Sequence, residues 1–273
     1  MDAVMKGLSL AIGAYNALLW RTAAGTAIGA AAYLPRRGSW PTRPVLRIHL
    51  VRGVVTTAMA MLFFWGLARV PMAQAIALAF VAPLIALYLA AIVLKERIER
   101  RAIVASLLGL AGVLVILSGQ ARADLGTEAL HGSIAILCSA VLYAYNIVLM
   151  RQQALVAKPL EISFFMNIIM FGCFLLAAPL LAVWPEAAHW PAIAGAAGLA
   201  YVSMMLLAWA YARAEAQHLA PVEYTGFVWA ALLGLVVFGE PVGLLTIAGA
   251  AMIVGACIHA ARRRPPLAAD AAA

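Results

Sequence analysis

Long apolar runs separated by short polar breaks are the feature that most constrains how this chain can fold. Of its 273 residues, 66% are hydrophobic and 11% are charged, whereas about 25% are charged in soluble domains. A helix crosses a bilayer with about 20 apolar residues, which is the length of these runs. We therefore predict an all-α integral membrane protein. The predicted spans lie near 13 to 34, 46 to 67, 72 to 94, 102 to 119, 132 to 150, 161 to 184, 189 to 212, 220 to 239 and 242 to 261.

The basic residues predict the orientation of these spans. The net charge of +8 does not indicate a nucleic-acid partner, because the basic residues form short clusters and no continuous basic face. If the linker after the first span is cytoplasmic, 14 of the 19 Lys and Arg residues lie on that side. Lys6, Arg69 and Arg122 lie on the opposite side. The positive-inside rule then predicts a cytoplasmic C-terminus.

A comparison of the chain with itself at an offset of 144 residues predicts an internal duplication. The offset pairs residue types that are scarce in this chain: Pro35 with Pro179, Trp65 with Trp209, Arg69 with Arg213 and Glu96 with Glu240. A unit of five helices crosses the membrane an odd number of times, so two tandem units lie in opposite senses. We expect a first repeat over 1–120, a second over 131–261 and a cytoplasmic tail over 262–273.

Under the same offset, the start of the chain resembles the end of a helix. The span that begins at His131 pairs with positions before Met1, and the stretch MDAVMKGLS pairs with its last turns. We therefore expect nine transmembrane helices of ten, with most of the first helix absent from this chain. Arg21 within the first apolar run argues against a cleaved signal peptide.

Three stretches resemble EamA-type transporters of the drug/metabolite transporter superfamily. They are MDAVMKGLS with an arginine in the next span, LFFWGLARVPMAQAIALAFVAPLIALYLAAIVLKERI, and WAYARAEAQHLAPVEYTGFVWAALLGLVVFGEPV. A helix of small residues with a proline kink ends in LKE at 94–96 and in FGE at 238–240, which puts Pro83 and Pro221 among the structural residues. The resemblance implies two inverted five-helix repeats around a central cavity that moves small metabolites across the bacterial inner membrane.

Polar side chains inside the spans are the candidate functional residues, because a charge at mid-span costs roughly 2.5 to 3.5 kcal/mol unless it faces the bundle interior. Glu223 lies deepest in an apolar segment; it either binds a cationic group or a proton, or is hydrated at the membrane interface. Tyr224 and Trp229 add aromatic surface to the same region. Tyr143 and Asn146 are three residues apart and so share a helix face.

Four more residues complete the candidate binding surface. Arg21 either binds a substrate carboxylate or pairs with helix-end carbonyls. Trp65 and Trp209 lie near span ends, where tryptophan forms an interfacial belt, and stacking on a solute is their alternative role. Gln74 opens a span after a short linker. Aromatic walls with few charges suit a neutral, zwitterionic or aromatic solute.

Other polar residues are expected to serve the fold or the membrane interface. Glu96 and Glu240 lie at span boundaries, where each can cap the N-terminus of the next helix. His49 and Arg52 follow closely on a basic linker. We expect their side chains to snorkel towards the lipid headgroups rather than to bind solute.

The sequence predicts a gradient-driven secondary transporter, more specifically an exporter, of amino acids, amines or related small metabolites by alternating access. No catalytic motif, ATP-binding loop or metal-ligand cluster is recognisable, so no enzyme activity, metal or cofactor is expected. The expected partners are the lipid bilayer, the solute and, as candidate coupling ion, protons. Two alternatives stay open: an uptake carrier for a vitamin or nucleoside-like metabolite, and a membrane protein that is inactive because the first helix is missing.

Overall fold

The regular secondary structure is helical throughout the described part of the chain. The computed structural model describes residues 1–36, 40–82, 85, 88–89, 100–122, 126–213 and 225–261. The α-helices are α1 (Asp2–Ile12), α2 (Ala14–Tyr33), α3 (Arg43–Leu67), α4 (Met72–Ala79), α5 (Arg100–Arg122), α6 (Gly126–Val156), α7 (Pro159–Leu181), α8 (Trp190–Tyr211), α9 (Thr225–Phe238) and α10 (Leu244–Ala261).

The predicted apolar intervals coincide with these helices. Within the described residues, each interval overlaps one of the helices α2 to α10. Among the residues that the structure describes, four segments are long and apolar enough to cross a membrane by length and composition: Arg43–Leu67, Gly126–Val156, Pro159–Leu181 and Ala187–Ala210. The all-helical structure is that of a multi-pass membrane protein, and the number of spans remains a prediction.

A single glycine separates the first two helices. Gly13 has a φ of 80°, a left-handed conformation that glycine adopts without steric cost. The break lets α1 and α2 pack against each other. The sequence suggested that the last turns of the first helix lie in the stretch MDAVMKGLS, whereas α1 continues to Ile12, because apolar and small residues persist up to the glycine.

The helices pack in pairs that join the first and second halves of the chain. Helix α2 packs against α7 and α8, and α3 packs against α6 and α7. Helix α4 packs against α9, and α5 against α10. The interior of the bundle therefore consists largely of contacts between residues far apart in the sequence.

Glycines bring the paired helices close together. At the crossing of α5 and α10, a Cβ added to Gly249 would lie 2.6 Å from the carbonyl oxygen of Gly112 and 2.5 Å from the side chain of Ile116. At the crossing of α3 and α6, a Cβ on Gly66 would lie 2.5 Å from the carbonyl oxygen of Gly132. Small residues allow this close backbone approach in membrane helices.

The close crossing predicts that Gly249→Ala destabilises the protein. The new methyl group would overlap the α5 backbone, and overpacking of this kind typically costs about 1–3 kcal/mol. The temperature at which the detergent-solubilised protein unfolds should therefore fall. Gly255→Ala is the matched control on α10, because nothing lies within 4 Å of its added Cβ. Equal unfolding temperatures for the two variants would contradict the close approach of α10 to α5 at Gly249.

Candidate functional site

A buried arginine lies at the centre of the contacts between α3, α6 and α8. Arg52 is 1% exposed and lies nine residues after the first residue of α3, which is about 14 Å along the helix axis. His49 is equally buried. The prediction that these two side chains snorkel to the headgroups is wrong, since the face of α3 that carries them packs against neighbouring helices instead of lipid.

Neutral side chains hold the Arg52 guanidinium in place. Its Nε donates to Asn146 Oδ1 at 3.0 Å, and its Nη1 donates to Gln153 Oε1. Its Nη2 lies 3.6 Å from the sulfur of Met204 on α8. Thr56 also donates to Asn146 Oδ1, at 3.1 Å. Two amide oxygens from α6 thus fix the plane of the guanidinium.

The hydrogen bonds continue from Arg52 to the start of α7. Because the Gln153 oxygen accepts from Arg52, its amide nitrogen is the group that faces His49 Nδ1, at 2.5 Å. This contact assigns the His49 proton to Nε2, which donates to Glu161 Oε1 at 3.0 Å. The chain of contacts therefore ends on a carboxylate whose side chain is 16% exposed.

The spacing of the residues explains why this network forms. His49 and Thr56 are seven residues apart on α3, and Asn146 and Gln153 are seven residues apart on α6. Seven residues make about two helical turns, so each pair lies on one face of its helix. His49, the earlier residue on α3, contacts Gln153, the later residue on α6, and Thr56 contacts Asn146. The two helices therefore run antiparallel. We call these residues, with Arg52 and Glu161, the Arg52 network.

Aromatic rings cover the Arg52 network next to α7. The ring of His49 stacks on Phe165 with 4.8 Å between centroids and 6° between planes. Tyr33 stacks on Phe164 at 5.2 Å and meets Phe165 edge-on at 6.0 Å. These rings bury His49 between α2, α3 and α7. We call this side of the molecule, where Glu161 lies, the Glu161 end.

A second polar cluster lies at the opposite end of α3. Lys6 is 2% exposed; its Nζ lies 2.5 Å from Glu240 Oε1 and donates to the Val70 carbonyl oxygen at 2.7 Å. The other carboxylate oxygen of Glu240 accepts from the backbone N–H of Met72 at 2.8 Å. We call this cluster, which joins α1, the start of α4 and the end of α9, the Lys6 end.

The contact of Glu240 differs from the one expected for it. The sequence suggested a cap on the next helix along the chain, which is α10, but the carboxylate meets the first residue of α4. Gly239 has a φ of 64°, and the N–H of Glu240 donates to the Gly234 carbonyl oxygen at 3.0 Å. This tight end of α9 turns the side chain back towards the other half of the chain.

Three of the predicted binding residues are buried. Asn146 belongs to the Arg52 network, whereas Gln74 is buried with its Nε2 unpartnered among the described residues. Arg21 is buried as well; its Nη1 contacts the Met1 sulfur at 3.8 Å, and its Nε has no described partner. Tyr143 is partly buried and packs against a cluster formed by Ala140 and Ala144 of α6 and by Ala82, which follows α4.

Two of the three predicted tryptophans, Trp209 and Trp229, are exposed, whereas Trp65 is partly buried against the core. The guanidinium of Arg69 lies 3.5 Å from the ring centre of Trp65, and that of Arg213 lies 4.5 Å from Trp209. Trp229 is 61% exposed. A cation over the ring and an exposed indole fit a membrane interface better than a solute cavity.

Five predicted residues lie outside the part of the chain that the structure describes. They are the candidate binding residues Glu223 and Tyr224 and the structural residues Pro83, Glu96 and Pro221. Their roles remain as the sequence suggests.

Sequence reasoning missed Gln153, Glu161, Thr56 and Lys6. Gln153 and Thr56 each lie seven residues from a polar residue that was considered, and this helical spacing is the signal that points to them. Glu161 and Lys6 carry no such signal. Their partners come from other helices, so only the packing of the bundle reveals them.

Comparisons with known proteins agree with this architecture. The sequence model of the EamA-like transporter family matches residues 1–118 and 130–261. The chain is 28% identical to the pseudopaline exporter CntI of Pseudomonas aeruginosa, across 97% of this chain and 92% of that protein. It is also 28% identical to the aromatic amino acid exporter YddG of Ancylobacter novellus, across 86% and 83% of the two chains.

A solved crystal structure has the same overall arrangement of helices. It is 26% identical in sequence and superimposes with a TM-score of 0.62, across 95% of this chain and 93% of that chain. Both halves of the chain thus match one family of transporters, and relatives along nearly its whole length are named exporters. The chain belongs to the EamA-like transporter family and is a multi-pass membrane transporter of the drug/metabolite type, not an enzyme.

Proposed function

We propose that the protein is a gradient-driven exporter of small metabolites that carry a carboxylate, with amino acids and their derivatives as the leading class. The observation that carries this proposal is the buried guanidinium of Arg52, held by two neutral amides. The names of two relatives, an exporter of pseudopaline and an exporter of aromatic amino acids, support the same class of solute.

The Arg52 network can exchange its internal hydrogen bonds for bonds to a solute. A planar guanidinium offers paired N–H groups that match the two oxygens of a carboxylate. Such charge-assisted bonds are roughly twice as strong as bonds between neutral groups. A solute carboxylate that displaces the oxygens of Asn146 and Gln153 therefore forms stronger hydrogen bonds with the guanidinium than the amides do. The freed amides can then bind other polar groups of the solute.

An inverted repeat gives this site a route to both sides of the membrane. Under the offset of 144 residues, α2 corresponds to α7 and α3 to α8. The packing of α3 on α7 is matched by the packing of α8 on α2. Arg69 and Arg213 donate to the carbonyl oxygens of their paired tryptophans at 3.0 and 3.2 Å. These equivalent contacts support two repeats over 1–120 and 131–261.

Alternating access requires one end of the bundle to close while the other opens. The contacts of Lys6 with Glu240 and Val70 close the Lys6 end by joining the two halves of the chain. The positive-inside rule assigns the Glu161 end to the cytoplasm of a bacterial inner membrane, because Arg43 and Arg47 at the start of α3 lie there. The C-terminus is then cytoplasmic, and the Lys6 end faces outward.

We propose coupling to a gradient, since no ATP-binding loop that could drive a pump is recognisable in the sequence. Glu223, the acid deepest in an apolar segment, remains the candidate that binds the coupling proton. The Arg52 network supplies the contact with the solute, so the two tasks fall on different residues.

Flux measurements in proteoliposomes test the proposal. With an imposed proton gradient, the wild-type protein should move one or more of a panel of radiolabelled amino acids. Arg52→Gln should raise the KM for that solute by roughly 10- to 100-fold, since hydrogen bonds to a charged group contribute about 1.5–3 kcal/mol. Asn146→Ala should raise the KM less, because Asn146 orients the guanidinium without carrying its charge.

Arg151→Gln is the matched control for the lost charge. Arg151 is exposed on α6, between Asn146 and Gln153 in the sequence, so its removal should leave the KM unchanged. The unfolding temperature of each variant separates a binding defect from a folding defect. If wild-type protein moves no carboxylate-bearing solute, or a well-folded Arg52→Gln variant keeps the wild-type KM, the proposed site is wrong.

The closed Lys6 end predicts a change of accessibility in Glu240→Gln. Neutralising the carboxylate weakens the contact with Lys6 and so favours opening at this end. A cysteine placed at the buried Val70 of a cysteine-free variant should then react several times faster with a membrane-impermeant maleimide. The reaction is measured in proteoliposomes with the reagent outside.

Glu128→Gln controls for the loss of an ion pair at the same end of the molecule. Glu128 pairs with Arg69 at 2.9 Å, but its side chain is 72% exposed, and surface pairs contribute little. The Glu128→Gln variant should therefore label at the wild-type rate. Equal rates for the wild type and Glu240→Gln would mean that the Lys6 contacts do not hold this end closed.

A further inference from the structure

An open groove lies on the outside of the bundle at the Glu161 end. Its α3 wall consists of Arg43, Leu46, Arg47 and Leu50, which lie on one helix face because they are three or four residues apart. Its α7 wall consists of Phe165, Ile168 and Ile169. The groove has a volume of about 420 Å³. It shares Phe165 with the aromatic rings that cover His49, whereas the buried side chains of His49 and Arg52 lie on another face of α3.

The charge of the groove is confined to one of its ends. Arg43 and Arg47 lie in the first two turns of α3 and are exposed. Neither forms an ion pair with any carboxylate in the described residues. The N-terminus of a helix carries the positive end of the helix dipole and therefore favours an anion. The two arginines add positive charge at the same place, so an anion is favoured both by the helix and by these side chains.

The rest of the groove is apolar and continues along the span. Leu50 is 54% exposed and Ile168 is 38% exposed. Both lie in helices that are long and apolar enough to cross a membrane, so their exposed side chains face the hydrocarbon of the bilayer. Trp40, which is 57% exposed, lies just before α3 with its ring 6.2 Å from that of Phe165. A tryptophan at this place marks the level of the lipid headgroups.

From this arrangement we propose that the groove binds one anionic phospholipid. Arg43 and Arg47 hold the phosphate group at the headgroup level, and an acyl chain lies along Leu46, Leu50 and Ile168. Basic pockets between membrane helices bind anionic headgroups in this way. A free phosphate ion would use only the arginines, whereas the apolar length of the groove requires a ligand with a hydrocarbon chain.

Native mass spectrometry of the purified protein tests the proposal. The protein is exposed to equal amounts of phosphatidylglycerol and phosphatidylcholine, and the ratio of the two bound lipids is measured. Wild-type protein should retain phosphatidylglycerol preferentially. The double variant Arg43→Gln/Arg47→Gln should lose this preference by roughly fivefold or more, since each basic residue near an anionic lipid contributes about a factor of five.

Two further variants separate the groove from surface charge in general. Arg43→Lys/Arg47→Lys keeps both charges and should keep most of the preference. Arg151→Gln removes an exposed charge from α6, outside the groove, and should leave the preference unchanged. The proposal is overturned if wild-type protein binds the two lipids equally, or if Arg151→Gln lowers the preference as much as the double glutamine variant does.

Discussion

Placing the Arg52 guanidinium inside an apolar bundle is costly unless its N–H groups find acceptors, since hydrocarbon offers none. The structure supplies acceptors from α6, where Asn146 and Gln153 face α3 two turns apart. Meeting this requirement fixes the register of α3 against α6. The same register brings His49 within reach of Glu161 on α7, so the position of one charged group determines how three helices meet.

A partly buried ion pair lies at the opposite end of the molecule. Lys6 and Glu240 are distant in sequence and come from different halves of the chain, and the Glu240 carboxylate also accepts the first N–H of α4. Breaking this cluster exposes an unpaired charge and a free helix N-terminus together. Such a contact has two favourable arrangements, closed by the protein or open and hydrated by water, which is what a carrier that alternates between two states requires.

The sequence alone was sufficient to locate helices α2 to α10 among the described residues, because the length and composition of an apolar run are local properties. It also identified Asn146, whose amide lies in an otherwise apolar segment. It misplaced Arg52 and His49, because closeness to a basic linker does not reveal that α3 begins at Arg43 and turns these side chains inward. Glu161 acquires its role only through its contact with another helix, and that contact depends on how the bundle packs.

A structure of the protein with a transported amino acid bound tests the central claim most directly. We predict that the solute carboxylate lies within about 3 Å of the Arg52 guanidinium, which is hydrogen-bond distance, with the amides of Asn146 and Gln153 turned towards the solute. A solute bound elsewhere, with Arg52 still donating to both amides, would contradict the account.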